Sequence, residues 1–296
     1  MAGKGRQLRG RIRSVQNTRK ITRTMELVAT SKLKRAQDRV VAARPYAEAL
    51  QQVLGDLVTP ELAAEFPLLR VPEPPARGGP RQAAVILVTS NRGLAGAFNS
   101  NLIKEARRTI ERLEAAGYEV ELYAVGKKGA GFFKYVGRPL AADRQDIGDR
   151  PTADHAASVV EPLLARYEAG RLASVDLVHA RFVTPLSTPP TTTRILPVEA
   201  PLPPKARTRV PNYLFRPDPG AILVQLLPLY VRNMVYRGLV ETAAGEQGAR
   251  RTAMKNATDN AGELIQYLTR TYNRQRQAAI TQEIAEIVGG AAALEG

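Results

Sequence analysis

Apolar positions trace a long helical stripe at each end of the chain and a different pattern between them. From Met254 the apolar residues are Met254, Ala257, Ala261, Leu264, Leu268 and Tyr272, in steps of three and four. That spacing puts them on one narrow face of an α-helix. The stripe is interrupted at Asn273-Arg274-Gln275-Arg276-Gln277 and resumes at Ile280, Ile284, Ile287 and Ala291. It ends small and apolar from Val288 to Ala293. No proline follows Pro228, so nothing forces a break. Gly248 to Val288 alone predicts a rod roughly 60 Å long at about 1.5 Å per residue. A helix of that length needs a partner to cover its stripe.

The N-terminal pattern is similar. Ala36, Val40, Ala43, Ala47, Leu50, Leu54 and Leu57 form a seam with a seven-residue period. Upstream the stripe is patchier, at Leu8, Ile12, Val15, Ile21, Met25 and Val28. Pro45 lies inside the seam, where it removes a hydrogen bond, so a kink or local break is expected there. Two narrow seams at opposite ends predict an antiparallel coiled coil. Two amphipathic helices packed on separate cores would leave the same stripes.

Between the rods the period changes. Ala84 to Thr89 reads as a buried strand, and Ser100 to Ala116 as a helix stopped by Gly117. Tyr118 to Val125 reads as a second strand and Thr152 to Tyr167 as a helix. Val175 to Phe182 reads as a third strand, with an edge strand over Thr191 to Val198. The βαβαβ alternation predicts a mainly parallel sheet with flanking helices. Six prolines between Gly55 and Gln82 and seven between Leu196 and Gly220 mark semi-rigid linkers on either side. The expected segments are a helix over 1–58, a linker over 59–82, an α/β domain over 83–198, a linker over 199–219 and a helix over 220–296.

Charge changes this picture at one end only. Between Met1 and Arg44 there are thirteen Lys and Arg against Glu26 and Asp38, most of the net +15 of the chain. Such an arm implies a partner carrying negative charge: nucleic acid, an anionic membrane or an acidic protein surface. A charge run is also simply a solvated face, and no aromatic residue precedes Tyr46 to support reading of single-stranded nucleic acid. From Gly245 to the end, Lys and Arg balance Asp and Glu, six against six.

Candidate chemistry is sparse. The absence of cysteine removes thiol nucleophiles, thiolate metal sites and disulfides. His155 and His179 each stand alone, without a second ligand at metal spacing. Helix surface is expected for the first and strand packing for the second. The loop Ser90-Asn91-Arg92-Gly93-Leu94-Ala95-Gly96 has glycines where a dinucleotide fold holds pyrophosphate. Its Gly-x-x-Gly spacing fits neither the dinucleotide fingerprint nor a Walker loop, so a tight turn is expected. No catalytic grouping, cofactor or metal is expected, and no apolar run is long enough to span a membrane.

Several runs resemble the γ subunit of F-type ATP synthase. They are Ser14-Val15-Gln16-Asn17-Thr18-Arg19-Lys20-Ile21-Thr22-Arg23-Thr24-Met25-Glu26, Ala42-Ala43-Arg44-Pro45-Tyr46, the Arg92-Gly93-Leu94 loop, Ala253-Met254-Lys255-Asn256-Ala257-Thr258-Asp259-Asn260 and Arg276-Gln277-Ala278-Ala279-Ile280-Thr281-Gln282-Glu283. The loop departs from the family pattern at Asn91, where Asp is often seen, and at Ala95, where Cys is often seen. The fold implied is α/β: a long antiparallel coiled coil of the N- and C-terminal helices with an inserted Rossmann-like α/β domain.

The resemblance implies a rotor without catalytic sites of its own. It turns inside a hexameric ring of α and β subunits and rests with ε on the membrane c-ring. Met25, Arg92, Arg250, Arg276, Gln277 and Gln282 are then expected to face the β ring, and Val288, Gly289, Gly290 and Ala291 to form a C-terminal bearing. The implied place is the cytoplasmic face of a bacterial inner membrane, peripheral, with no nucleic acid bound. The alternative reading is a basic helical nucleic-acid-binding protein.

Overall fold

The computed structural model describes residues 2–72, 81–199 and 218–295. Helix α1 spans Ala2–Leu57, α2 Pro60–Glu65, α3 Phe98–Ala115, α4 Lys127–Tyr135, α5 Ala153–Glu168 and α6 Pro219–Glu295. Strands are β1 Arg81–Val88, β2 Tyr118–Val125, β3 Ala142–Arg144, β4 Ser174–Ala180 and β5 Pro190–Leu196. The chain forms two compact units, Met1–Ala29 with Arg250–Gly296, and Thr30–Ala249.

In the larger unit the five strands lie in the order β3-β2-β1-β4-β5. β1 pairs in parallel with β2 (Val85 opposite Leu122) and with β4 (Val85 opposite Asp176). β3 extends the parallel run, and β5 returns antiparallel to β4. Both faces are covered, which is why β1 reads as an apolar run from Ala83 to Val88 and why β4 is buried along its whole length, although it carries Asp176 and His179. Alternation along β1 sends Ala83, Val85 and Leu87 to a core with α3 and α4. It sends Ala84, Ile86 and Val88 to a core with α5, the end of α1 and the start of α6. That second core holds Leu54 and Leu57 of α1 with Leu223 and Leu227 of α6. Further back along α1, Leu33, Ala36 and Val40 meet Val240 and Ala244. Earlier residues of α1 therefore meet later residues of α6, as an antiparallel pair requires.

In the smaller unit the same antiparallel sense holds. Thr22 faces Thr258, Arg19 lies beside Gly262, and Arg9 stacks on Tyr272, 5.3 Å from the ring centre. The seam residues differ from the expected ones. Leu264 is 44 % exposed, while Thr258 and Ile265 turn inward beside Met254, Ala261 and Leu268. Likewise Ile21 and Val28 are exposed, while Thr22 and Ala29 are buried. The true steps are four-three-four-three, the heptad of a two-helix seam, and a polar threonine occupies a position in each helix.

α1 continues through Pro45, and Ala47, Leu50 and Leu54 beyond it keep the buried register that the seam predicts. Two further expectations change. Part of the expected linker over 59–82 is packed. Pro60 and Pro67 begin α2 and a 3-10 turn at Pro67–Leu69, positions where a missing N–H costs nothing. Leu68 is buried, and its carbonyl accepts from Val198 N at 2.8 Å. Residues 73–80, and 200–217 of the expected linker over 199–219, lie outside the described residues. Finally, α4 and β3 are present where no element was expected.

Candidate functional site

The loop after β1 is braced by its own polar groups. Thr89 N donates to Val125 O at 2.8 Å, and Gly129 N donates to Thr89 Oγ1 at 2.9 Å. Ser90 N donates to Asn99 Oδ1 at 3.0 Å, and Ser90 Oγ donates to Arg92 O at 2.6 Å. Asn91 Nδ2 donates to the carbonyls of Gln145 (2.9 Å) and Ile147 (3.0 Å), while Asn91 Oδ1 accepts from Lys127 N at 2.8 Å. The amide is suited to this place: an aspartate there would offer only acceptors to two carbonyls. Ser90, Asn91 and Asn99 are thus occupied in holding the loop. What the stiffened loop presents is an exposed Arg92 and Leu94, the latter 61 % exposed in the left-handed region at φ 62°. Left-handed backbone is costly for leucine and persists only where its surroundings impose it.

The facing loop after β3 is held by its own ion pair. Arg144 donates to both oxygens of Asp146, at 2.9 and 2.7 Å, and this pairing pulls the Asp146 carboxyl down to about 2. Asp149 then ties the loop to both long helices of this unit. Lys32 Nζ lies 2.5 Å from Asp149 Oδ2, Arg39 Nη1 donates to Asp149 O at 2.9 Å, and Gln247 Nε2 reaches Asp149 Oδ1 at 3.5 Å. Part of the basic face of α1 is therefore spent inside the protein.

His155 closes the start of α5. Thr152 N donates to its Nδ1 at 3.1 Å, and its own N–H donates to Thr152 Oγ1 at 3.3 Å. This reciprocal cap fixes the first turn. His179 is buried on β4 with Nε2 3.2 Å from Thr193 Oγ1. Among the described residues, no group of three His, Asp or Glu stands together as a metal site, and no helix is long and apolar enough to cross a membrane.

The smaller unit holds most of the expected contact residues. Met25 is half-buried on α1. Arg276 and Gln277 are exposed on α6. Gln282 is exposed too, and its Nε2 donates to Glu286 Oε1 at 2.9 Å. Val288, Gly289 and Gly290 are exposed; Ala291 lies within α6, and its side chain is outside the described residues. Arg250 is the exception: it is 8 % exposed and already engaged within the chain. Arg92 belongs to the larger unit, so the expected set is split between the two. The sequence pattern overlooked Asp149, Leu94 and the buried polar pair Glu241 and Thr242 on α6. One signal was available for the last two: Gly238, Gly245 and Gly248 recur at helical spacing around them.

Comparison with known proteins gives a consistent picture. A family described as ATP synthase matches residues 4–294. The ATP synthase gamma chain of Gemmatimonas aurantiaca is 60% identical over 294 residues, 99% of either chain. That of Frankia casuarinae is 42% identical over 301 residues, again 99% of either chain. Among solved structures, a chain of the Euglena gracilis mitochondrial ATP synthase OSCP/F1/c-ring assembly superposes with TM-score 0.68 at 18% identity, covering 99% of this chain and 95% of that one. A chain of the Tetrahymena thermophila mitochondrial ATP synthase central stalk and c-ring gives 0.58 at 23% identity, covering 80% and 99%. At those identities the structures speak for the fold.

Proposed function

This chain belongs to the ATP synthase gamma chain family, and from that premise we propose that it is the rotary central-stalk subunit of the F1 sector. It couples proton flow through a membrane c-ring to ATP synthesis, and ATP hydrolysis to proton pumping in reverse. It is a subunit of the complex; the catalytic sites belong to β. Its partners are the α and β subunits, ε and the c-ring. Its place is peripheral, on the cytoplasmic face of a bacterial inner membrane. In this role residues 1–58 and 220–296 serve as the shaft, 83–198 as the α/β domain near the c-ring, and 59–82 and 199–219 as connections.

The observation that carries the reading is the far end of α6. Gly5 and Arg9 of α1 lie against Tyr272 of α6, and α6 continues from there to Glu295. Beyond the pairing, Ile280, Ile284, Ile287 and Val288 are all exposed, Ile287 to 72 %. An apolar stripe left in water marks an interaction surface. A ring of α and β closing around it would bury that stripe. Small residues at its tip, Gly289 and Gly290 with open space around them, suit a bearing that must turn.

Coupling follows from differential contact: each β conformation is favoured in some rotor orientations and disfavoured in others. Arg276 and Gln277 are the proposed grip. The guanidinium offers five donors in a fixed fork, and the amide offers both donor and acceptor. Met25 and Gln282 of the smaller unit and Arg92 of the larger are further proposed contacts with β, each on its own; Arg250, 8 % exposed, is withdrawn from that set. The nucleic-acid alternative finds no support in the relatives named above.

The test is reconstitution with α, β and ε. Arg276→Ala should assemble normally and lower ATP turnover. A rotor trimmed from Gly289 onward should lose less. A wild-type rate for Arg276→Ala together with arrest of the trimmed rotor would reverse the two assignments.

A further inference from the structure

Every residue of α6 from Gly238 to Gly248 is buried, which a one-faced helix does not do over three turns. Three glycines in this stretch stand where the α/β domain comes too close for a side chain. A Cβ at Gly238 would meet Leu177 Cδ2 at 2.6 Å, and one at Gly248 would meet the Pro185 carbonyl oxygen at 2.6 Å. One at Gly245 would meet Phe98 at 3.1 Å and Thr188 at 3.2 Å. Between these steps the end of β4 is seated on two buried side chains. Ala180 N donates to Thr242 Oγ1 at 3.1 Å, and Phe182 N donates to Glu241 Oε2 at 3.0 Å. Arg237 Nη2 donates to the other Glu241 oxygen at 3.3 Å. The intervening Arg181 N turns the other way, to Pro189 O at 3.0 Å.

On the adjoining side α6 is not closely packed. A cavity of about 500 Å³ lies between Leu239, Thr242, Ala243 and Glu246 and the loops that follow β1 and β3. The hydrogen bonds from Ala180 and Phe182 to α6 lie at the end of β4 and just after it, and beside the cavity Gln247 reaches Asp149 at the longer 3.5 Å.

We propose that this contact is the joint through which torque passes between the α/β domain and α6, with Glu241 and Thr242 as its positioning residues. The proposal rests on the rotor reading. Apolar burial is non-directional: it resists separation but not sliding. The contact of α6 with α1 at Leu33, Ala36 and Val40 is of that kind. A buried hydrogen bond is directional, and slipping it leaves a backbone N–H unpaired away from water. Glycine steps add a steric key, because turning α6 about its axis would drive its side chains into Leu177 and Pro185.

The test uses the complex reconstituted with its partner subunits and reads protons pumped per ATP hydrolysed. Thr242→Val keeps the shape and removes the acceptor; pumping per ATP should fall roughly twofold or more, with hydrolysis persisting and the complex still assembling. Thr242→Ser should retain the wild-type ratio. An unchanged ratio for Thr242→Val overturns the proposal. Should that variant fail to assemble, a second measurement uses Thr242→Ala, which removes the same acceptor with a smaller side chain. Its ratio should fall likewise, and an unchanged ratio overturns the proposal. Failure of the wild-type chain to support any pumping would instead sink the rotor reading.

Discussion

Thr258 Oγ1 donates to Thr22 Oγ1 across 2.8 Å, joining residues 236 apart in sequence within the seam of the smaller unit. Thr22 Oγ1 in turn donates to Arg19 O at 3.1 Å. Both threonines are buried, so the pair is a directional contact in an otherwise apolar register. Thr258→Val removes one partner and should cost about 1 kcal/mol. The double variant Thr22→Val/Thr258→Val should cost less than the sum of the singles, because no hydroxyl is then left facing an apolar group. Denaturant unfolding of the four proteins measures the coupling.

Arg194 grips Asp176 across the β4–β5 pair, Nε to Oδ1 at 2.6 Å and Nη2 to Oδ2 at 3.1 Å. Asp176 is 1 % exposed. Arg194→Met strands a carboxylate inside the sheet and should cost about 3 kcal/mol. Adding Asp176→Leu to that variant should recover most of the loss. A double variant no more stable than Arg194→Met would mean that the pair itself, not the stranded charge, sets the cost.

Two glycines of one region should respond oppositely to alanine. Gly126 has φ 100°, and a Cβ there would lie 2.1 Å from Thr89 O. Gly126→Ala should therefore destabilise by about 3 kcal/mol or more, since neither the dihedral nor the backbone contact can give. Gly131 lies inside α4 with nothing within 4 Å of its Cβ position. Gly131→Ala should stabilise by about 0.5–1 kcal/mol through helix propensity. Thermal unfolding of both variants checks the pair.

Burial pushes the His179 imidazole below its ordinary 6.5, against the pull of Glu241, with Arg237 and Arg181 also opposing its protonation. The unfolded chain then takes up a proton near 6.5 that the folded chain refuses. Stability from this group is complete above that pH and declines as pH falls through it. It levels off below the folded-state value. His179→Gln should flatten the stability profile as pH falls through about 6.5, measured by denaturant unfolding on both sides of that pH.

Periodicity alone revealed the two long helices, because a 3.6-residue repeat is a local property that survives any tertiary arrangement. β1 was legible as a short apolar run bounded by turn residues, too short for a buried helix, and β4 was legible despite Asp176 and His179 because it lies between a helix and an expected edge strand. Short elements were not legible. α4 carries two glycines, and β3 is three residues long, held only by its pairing with β2. The exact seam was displaced as well, because steps of three and four fit two neighbouring faces until a partner helix selects one. Ile265 rather than Leu264, and Thr258 rather than Ala257, became interior when α1 arrived.

The surfaces for partners divide the same way. Arg92, Arg276, Gln277 and Gln282 could be named from quoted motifs, and they are exposed. Arg250 could be named but not its burial, nor could Leu94 be known to stand out from a braced loop at positive φ. Glu241 and Thr242 read as ordinary polar positions on a long helix until the end of β4, some sixty residues earlier, supplies the two N–H donors that they accept. Local pattern reports which face of an element is apolar. Which surface comes to meet that face depends on contacts between residues far apart in sequence, and those form only when the chain closes on itself.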